Sequence, residues 1–430
     1  MTTRGTDDGM RGKEGVQLVG DWTLAVVKPG TSGEVCRLKV APPPLVTVTA
    51  EHAEQLPLFN PDTAGWCKGR RLAGVMTDET SAKHMVEPDS LELRLSTDPT
   101  SPCLARGVDY EADQEWGTLG RLEGGRIGLR TGVFLSYRHG LSRLDSVVRR
   151  ADGDWELRAG IPHITVSRMP DLLPGDIRAA NIWVPGRLPR LGTEHLFPIL
   201  ESRCPDAPPA RTLVERCLPR TLAKLNAGQP LRILAWGDSV TTGGYLPDIE
   251  TAQWQVQFVR RLQARFPRAR LELVTEAWGG RNTSSYLELP PGEEHNFAET
   301  VLARRPDLVI SEFVNDMGLT AERLEANHSR CLADFRRIGA EWIILTPHYV
   351  RPDWMDLTRE REIDADPRPL VAFLREFTAR HDVALADASR RWGRLWRQGI
   401  PYTTLFLNAI NHPDVRGMAL FADSLMEWFA

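Results

Sequence analysis

The C-terminal half of this chain constrains the fold most, because short apolar segments alternate there with segments of helical periodicity. From Leu231 onward the segments LRILAW, LELVTEAW, DLVISEFV, EWIILTPHY and VALADAS have the length and composition of buried strands. Amphipathic segments such as TAQWQVQFVRRLQARF (251–266) and RPLVAFLREFTARHD separate them. Strands that alternate with helices form a parallel sheet covered on both faces. The pattern therefore predicts an α/β/α domain over residues 229–430.

The first 205 residues carry a different pattern, in which turn residues separate short β-rich segments. These include VQLVGDWTLAVV, LVTVTA, LELRLS, GVFLSYR and DWELRAG, whose content is typical of strands. Asp152-Gly153 tolerates positive φ and predicts a hairpin turn. We expect a β-rich, sandwich-like accessory domain over residues 1–205. A Pro-rich linker and a bridging helix over residues 206–228 would join it to the second domain.

The charge composition excludes some partners. The chain has 430 residues with 53 basic and 57 acidic side chains, a formal net charge of -4, so no excess of positive charge is available for a phosphate backbone. The first residues are charged where a signal peptide would be apolar, and no run approaches the roughly 18 apolar residues of a membrane span. We therefore expect a cytoplasmic protein with no nucleic-acid or membrane partner.

Four polar or glycine-rich positions follow the predicted strands, at the edge where ligands bind in parallel sheets. Ser239 lies in a glycine-initiated turn, which is compatible with a nucleophile, a helix cap or a phosphate-binding turn. Gly279 and Gly280 allow close backbone approach or simply a turn that needs positive φ. Asn315 can donate to an oxyanion or form an Asx turn. His412 precedes the last helix and can reach the same crevice.

These motifs in this order resemble the SGNH, or GDSL-type, hydrolase superfamily. GDSV, GGRNTSSY, EFVNDMG and NHPDVRGMALFA match its four blocks. The resemblance implies a flavodoxin-like domain and a serine esterase that needs no cofactor or metal. It also implies that Ser239 is the nucleophile and His412 the base. The oxyanion would be held by the Ser239 N–H, the Gly280 N–H, with Gly279 as the alternative donor, and the Asn315 amide.

Two departures from the family pattern stand out. The family usually places Asp three residues before the histidine, whereas Ala409 occupies that position here. Asn408 is the nearest substitute; its carbonyl can orient the imidazole but cannot supply a negative charge. We therefore expect a Ser-His dyad oriented by Asn408, with Asp387 as an alternative acid. In the third block Phe313 stands where glycine is usual.

The resemblance implies a small-molecule or oligosaccharide ester as substrate, because many relatives with extra β domains deacetylate carbohydrates. Candidate substrate contacts lie next to the motifs and after the fourth strand: Asp238, Trp278, Gly279, Arg281 and His348. The rings of Trp236 and Trp354 are further candidates for stacking on a sugar. The alternatives are a lipase or thioesterase of the same superfamily, and a catalytically decayed carbohydrate-binding protein. Neither the ester position nor the oligomeric state follows from the sequence.

Overall fold

The chain divides into two compact units in a computed structural model that describes residues 15–28 and 33–430. Unit 1 contains the described residues up to Arg203 together with Arg359–Arg361 and Trp396–Ile410. Unit 2 contains Cys204–Thr358, Glu362–Leu395 and Asn411–Ala430. The predicted boundaries at 205 and 229 thus differ from this division. The predicted linker belongs to unit 2, and two short segments of the C-terminal half belong to unit 1.

Unit 1 is β-rich, as predicted, and every pairing between its strands is antiparallel. Its sheets have the orders β1-β2-β3, β4-β9-β6, β5-β8-β7 and β11-β10-β12-β13. The strands are β1 (Gly15–Gly20), β2 (Thr23–Val27), β3 (Glu34–Lys39), β4 (Leu45–Ala53), β5 (Arg70–Arg71), β6 (Glu92–Arg94), β7 (Tyr110–Asp113), β8 (Thr118–Arg121), β9 (Val133–Gly140), β10 (Arg143–Arg149), β11 (Trp155–Arg158), β12 (Ile177–Val184) and β13 (Leu196–Pro198).

Two local features of unit 1 are defined by backbone conformation and hydrogen bonds. The predicted hairpin is confirmed, since β10 pairs with β11 and Gly153 adopts φ +93° in the turn between them. The segment 396–410 joins unit 1 through long-range hydrogen bonds: the Leu200 N–H donates to the Arg397 carbonyl at 2.8 Å, and Asn181 Nδ2 donates to the Gly399 carbonyl at 2.7 Å.

Unit 2 contains the predicted parallel sheet, with the strand order β15-β14-β16-β17-β18. Its strands are β14 (Pro230–Gly237), β15 (Arg270–Ala277), β16 (Leu308–Glu312), β17 (Glu341–Leu345) and β18 (Ala384–Ala386). Its helices are α1 (Arg211–Cys217), α2 (Pro219–Ala227), α3 (Ser239–Thr242), α4 (Ile249–Ala252), α5 (Trp254–Arg265), α6 (Thr283–Leu287), α7 (Phe297–Thr300), α8 (Ala321–Ile338), α9 (Pro369–His381), α10 (Ala388–Gly393) and α11 (Val415–Met426). None of the described helices has the length and apolarity to cross a membrane.

The strand order places a crevice at the end of β14. From β14 the chain moves to β15 on one side and then returns to β16 on the other, so the connections diverge at the carboxyl end of β14. Ligands bind at such topological switch points. The completely buried Trp236 anchors this end of the strand, with ring centroids 4.7 Å from Phe313 and 5.4 Å from Tyr286.

The structure explains why Phe313 is tolerated where the family pattern has glycine. Its backbone is extended, with φ -138° and ψ 91°, a conformation that any residue adopts. Glycine is therefore not required for the turn after β16. The phenylalanine ring instead adds aromatic packing against Trp236 under the crevice.

We predict that Gly237→Ala lowers the stability of unit 2. A Cβ at this position would lie 2.1 Å from Thr241 Oγ1 and 2.4 Å from the Glu312 carbonyl oxygen, and such overpacking costs about 1–3 kcal/mol. Chemical denaturation measures the loss. Gly318→Ala is the matched control, because its Cβ would meet no atom within 4 Å. Equal stability of the two variants would contradict the prediction.

Candidate active site

Ser239 and His412 meet at the end of β14. Ser239 is the first residue of α3, and Asp238 caps this short helix by accepting from the Val240 N–H at 3.0 Å. His412 Nε2 lies 3.2 Å from Ser239 Oγ. The serine is half-buried, and the histidine is only 3% exposed. Oγ and Nε2 are thus close enough for a proton to pass between them.

Two aromatic side chains hold the histidine and its loop. The Tyr245 ring stacks on the His412 imidazole, with centroids 4.0 Å apart and planes inclined by 8°. His348 Nε2 lies 2.7 Å from the carbonyl oxygen of Asn411, the residue before His412. Because burial lowers the pKa of His348 well below its usual value, its ring is neutral and Nε2–H donates to that carbonyl. No sequence pattern predicted a role for Tyr245. His348, a predicted substrate contact, is instead fully buried beneath the loop.

Asp238 holds the asparagine of the third block. Its Oδ2 accepts from the Asn315 side-chain Nδ2 at 2.9 Å and from the Asn315 backbone N–H at 3.1 Å. One hydrogen of the amide is used in this way, and the other remains available to a ligand. Asp238, another predicted substrate contact, is completely buried. Its position therefore suits the support of Asn315 rather than contact with substrate.

The second glycine block forms a tight turn beside the serine. The Trp278 N–H donates to the Gly237 carbonyl at 3.1 Å, and the Arg281 N–H closes the turn on the Trp278 carbonyl at 3.2 Å. Gly280 adopts φ +72°, which favours glycine. A Cβ on Gly279 would lie 3.8 Å from Ser239 Cβ. Within residues 15–28 and 33–430, neither glycine N–H is engaged in a backbone hydrogen bond, so both are possible oxyanion donors.

Trp278 has little free ring surface for a sugar. Its ring stacks on His295 with centroids 4.6 Å apart, and the Arg281 guanidinium lies 4.8 Å from its centroid. His295 Nδ1 is in turn 2.7 Å from Glu276 Oε1. Trp278 therefore forms part of a packed wall next to the glycine turn. Trp236 is completely buried, which removes it from the candidates for stacking.

Three carboxyl groups lie buried beneath the site: Asp238, Glu312 and Asp316. The Thr283 N–H and Oγ1 donate to Asp316 at 2.8 and 3.0 Å, and burial raises the pKa of Asp316 to about 7. Neither carboxyl oxygen of Glu312 has a hydrogen-bond partner among the described residues. Burial and the neighbouring Asp238 raise the pKa of Glu312 well above its ordinary value. Because Asp238 accepts several N–H bonds and Glu312 accepts none, the proton of this pair resides on Glu312.

The residue that orients His412 stays a prediction. Asn408 belongs to unit 1, where its Oδ1 accepts from the Ile410 N–H at 3.0 Å. Asp387 caps α10 and pairs with Arg375, at 3.0 Å between Nε and Oδ2. It also accepts from Thr346 Oγ1 at 3.0 Å. These contacts commit Asp387 to bracing α9 and α10, and we retain only Asn408 as the candidate.

We predict that Glu312→Gln flattens the pH dependence of stability. The native state binds the Glu312 proton more tightly than the unfolded chain, so the free energy of unfolding is highest below the ordinary pKa of 4.5 and falls as the pH rises above it. The decrease is about 1.4 kcal/mol for each pH unit over which the carboxyl stays protonated. Urea denaturation of both proteins from pH 5 to 8 measures the slopes.

Glu376→Gln serves as the control, because this side chain is 75% exposed. It should leave the pH slope of the parent protein unchanged. If Glu312→Gln also leaves the slope unchanged, Glu312 does not carry the proton.

One family model matches the part of the chain that contains this site. Residues 235–420 match the model of the GDSL-like Lipase/Acylhydrolase family, and no curated protein matches the chain. Similar solved structures include a two-domain esterase active on acetylated mannans, with 16% identity and a TM-score of 0.40 over 50% of this chain and 52% of that chain. This match thus spans about half of the esterase's own length.

Two further structures match this chain over almost their entire length. An acetyl xylan esterase from Geobacillus stearothermophilus has 16% identity and a TM-score of 0.38, over 46% of this chain and 94% of that chain. A carbohydrate acetylesterase family member from Sinorhizobium meliloti has 17% identity and a TM-score of 0.32, over 45% and 95%. Residues 235–420 of this chain thus match the GDSL-like Lipase/Acylhydrolase family model, and the β-rich region before them lies outside that match.

Proposed function

We propose that this protein hydrolyses short acyl esters, with acetyl esters of carbohydrates as its substrates. The observation that carries the proposal is the distance of 3.2 Å between His412 Nε2 and Ser239 Oγ, beside an Asn315 amide held by Asp238. A serine, a base and a fixed amide donor at one strand edge are the groups that acyl transfer requires.

In this proposal Ser239 Oγ attacks the ester carbonyl as His412 Nε2 takes its proton. The oxyanion is stabilised by the free hydrogen of the Asn315 amide and by the N–H groups of Ser239 and Gly280. Collapse of this intermediate breaks the bond to the alcohol, which leaves with the proton from His412. Water, deprotonated by His412, then attacks the acyl-enzyme and releases the acid and free Ser239.

The Tyr245 ring is already in place to stabilise the His412 imidazolium that forms in each step. Tyr245 stacks almost parallel to the His412 ring, and an aromatic face attracts a cation. The stack thus fixes the ring plane and favours its charged form. This contribution replaces part of what an acid three residues before His412 would supply.

We expect Ser239→Ala to abolish hydrolysis of p-nitrophenyl acetate and of acetylated sugars, because no other nucleophile is placed on His412 in this scheme. Initial rates of both reactions measure the effect, and labelling by a fluorophosphonate should vanish with them. Ser329→Ala on the exposed side of α8 is the matched control. Unchanged turnover in Ser239→Ala would refute the assignment.

The parent protein alone distinguishes the alternative functions. Faster hydrolysis of long acyl chains would favour a lipase, and inactivity towards all esters would favour a decayed binding protein.

We expect Asn315→Ala to lower kcat about 10²- to 10³-fold with a smaller change in KM. An oxyanion donor acts in the transition state, and its loss costs about 3 kcal/mol. Steady-state kinetics with p-nitrophenyl acetate test this expectation. Asn226→Ala, at an exposed position of α2, is the control. A variant that raised KM and kept kcat would place Asn315 in ground-state binding instead.

A further inference from the structure

A small pocket opens in unit 2 between the turns that follow β16 and β17. It has a volume of about 300 Å³. Its walls come from the 3₁₀ turn Val314–Gly318, the 3₁₀ turn Pro352–Met355 and the start of α9. A pocket of this volume is at the small end of ligand sites, so it suits a single ring rather than an extended chain.

The pocket lies at the same sheet edge as the catalytic groups. Asp316, which lines it, directly follows Asn315. The turns after β16 and β17 both begin at the carboxyl ends of parallel strands. Helix α9 precedes the parallel strand β18, so its first residues also belong to that edge. The pocket and the Asn315 amide thus lie at the same edge of the sheet, and the pocket begins one residue after Asn315 in the chain.

Part of the pocket lining is apolar, and the rim includes one exposed aromatic ring. Leu319, Met355 and Phe373 contribute to the walls. Trp354 lies on the rim and is 44% exposed, unlike the buried Trp236. The Arg351 guanidinium lies 5.4 Å from the centroid of the Trp354 ring. An exposed aromatic ring at the rim of a pocket can stack on a flat apolar face of a ligand.

Two ionisable side chains, Arg368 and Asp316, make part of the pocket lining polar. Arg368 is only 4% exposed, and its Nε and Nη2 donate to Asp366, while Nη2 also donates to the Pro347 carbonyl. Its Nη1 has no hydrogen-bond partner among the described residues. Asp316 adds a buried carboxyl group. Such groups disfavour a long acyl chain, because apolar groups packed on them would leave charges unsolvated.

We infer that this pocket binds the sugar ring that carries the ester, with Trp354 stacked on the ring and Arg368 and Asp316 available to its hydroxyl groups. A pyranose combines an apolar face with peripheral hydroxyls, which matches the aromatic rim and the partly polar lining. The inference rests on the proposed function for the ester but adds the residues that select its alcohol part. Trp354 is thus a specificity-determining residue rather than a catalytic one.

The test compares Trp354→Ala and Trp354→Phe on glucose pentaacetate, p-nitrophenyl acetate and p-nitrophenyl octanoate. We expect Trp354→Ala to raise KM for the acetylated sugar roughly five- to tenfold, in line with the loss of one aromatic contact, and to affect p-nitrophenyl acetate less. Trp354→Phe should restore most of the sugar KM, because it keeps an aromatic face. Arg211→Ala, outside this pocket, should change none of the three reactions.

Saturation-transfer NMR of methyl glucoside with the parent protein and Trp354→Ala gives a readout that needs no hydrolysis. Loss of the signal in the variant supports the inference even if the acetylated sugar is not turned over. Equal sugar KM and equal NMR signals in the two proteins would overturn it, and a selective loss on the octanoate ester would assign the pocket to the acyl chain. The proposed function fails separately, if hydrolysis of every ester survives Ser239→Ala.

Discussion

The geometry of the site depends on the hydrogen bonds that the Asp238 carboxylate accepts. It caps the turn of Ser239 through the Val240 N–H and holds Asn315 by both its backbone and its amide. One buried side chain thus ties the end of β14 to the end of β16. Because catalysis by a fixed amide requires placement within a fraction of an ångström, these bonds from Asp238 would keep the proposed nucleophile and the proposed oxyanion donor at their spacing.

The other buried carboxyl groups make that charge costly. Glu312 lies opposite Gly237 in the sheet register, next to Asp238, and two adjacent buried charges repel each other strongly. A proton retained by Glu312 removes the repulsion and leaves Asp238 as the acceptor. With the proton on Glu312, Asp238 is the ionised member of the pair, although burial raises its own pKa to about 7. The positive charge of Arg368 lowers the pKa of Glu312, which partly offsets the rise caused by burial and by Asp238.

Much of the fold follows from patterns that are local in the sequence. The five strands of unit 2 and the hairpin at Gly153 lie where periodicity and turn chemistry place them. The motif residues Ser239 and His412 come together because each follows a strand or precedes a helix at one sheet edge. The sequence predicted the segment DLVISEFV as a strand but not that Glu312 is a buried acid, and the pairing of β14 with β16 shows that it lies next to Asp238.

The remaining features depend on contacts between distant residues. Nothing in the sequence near His348 tells whether its ring faces a crevice or lies under a loop; the bond to the Asn411 carbonyl decides it. The stack of Tyr245 on His412 joins residues 167 positions apart. Such contacts arise from packing, which local propensity does not encode. The exposure of the Trp354 ring likewise depends on packing, because its position in the sequence does not distinguish it from the buried aromatic residues near other strands.

The assignment of Trp396–Ile410 to unit 1 has a consequence for how the chain is made. Domains usually fold in order as they leave the ribosome, the N-terminal one first. Here unit 1 lacks the segment Trp396–Ile410 until most of unit 2 has been translated. The N-terminal unit therefore cannot complete its contacts before synthesis of the chain is almost finished.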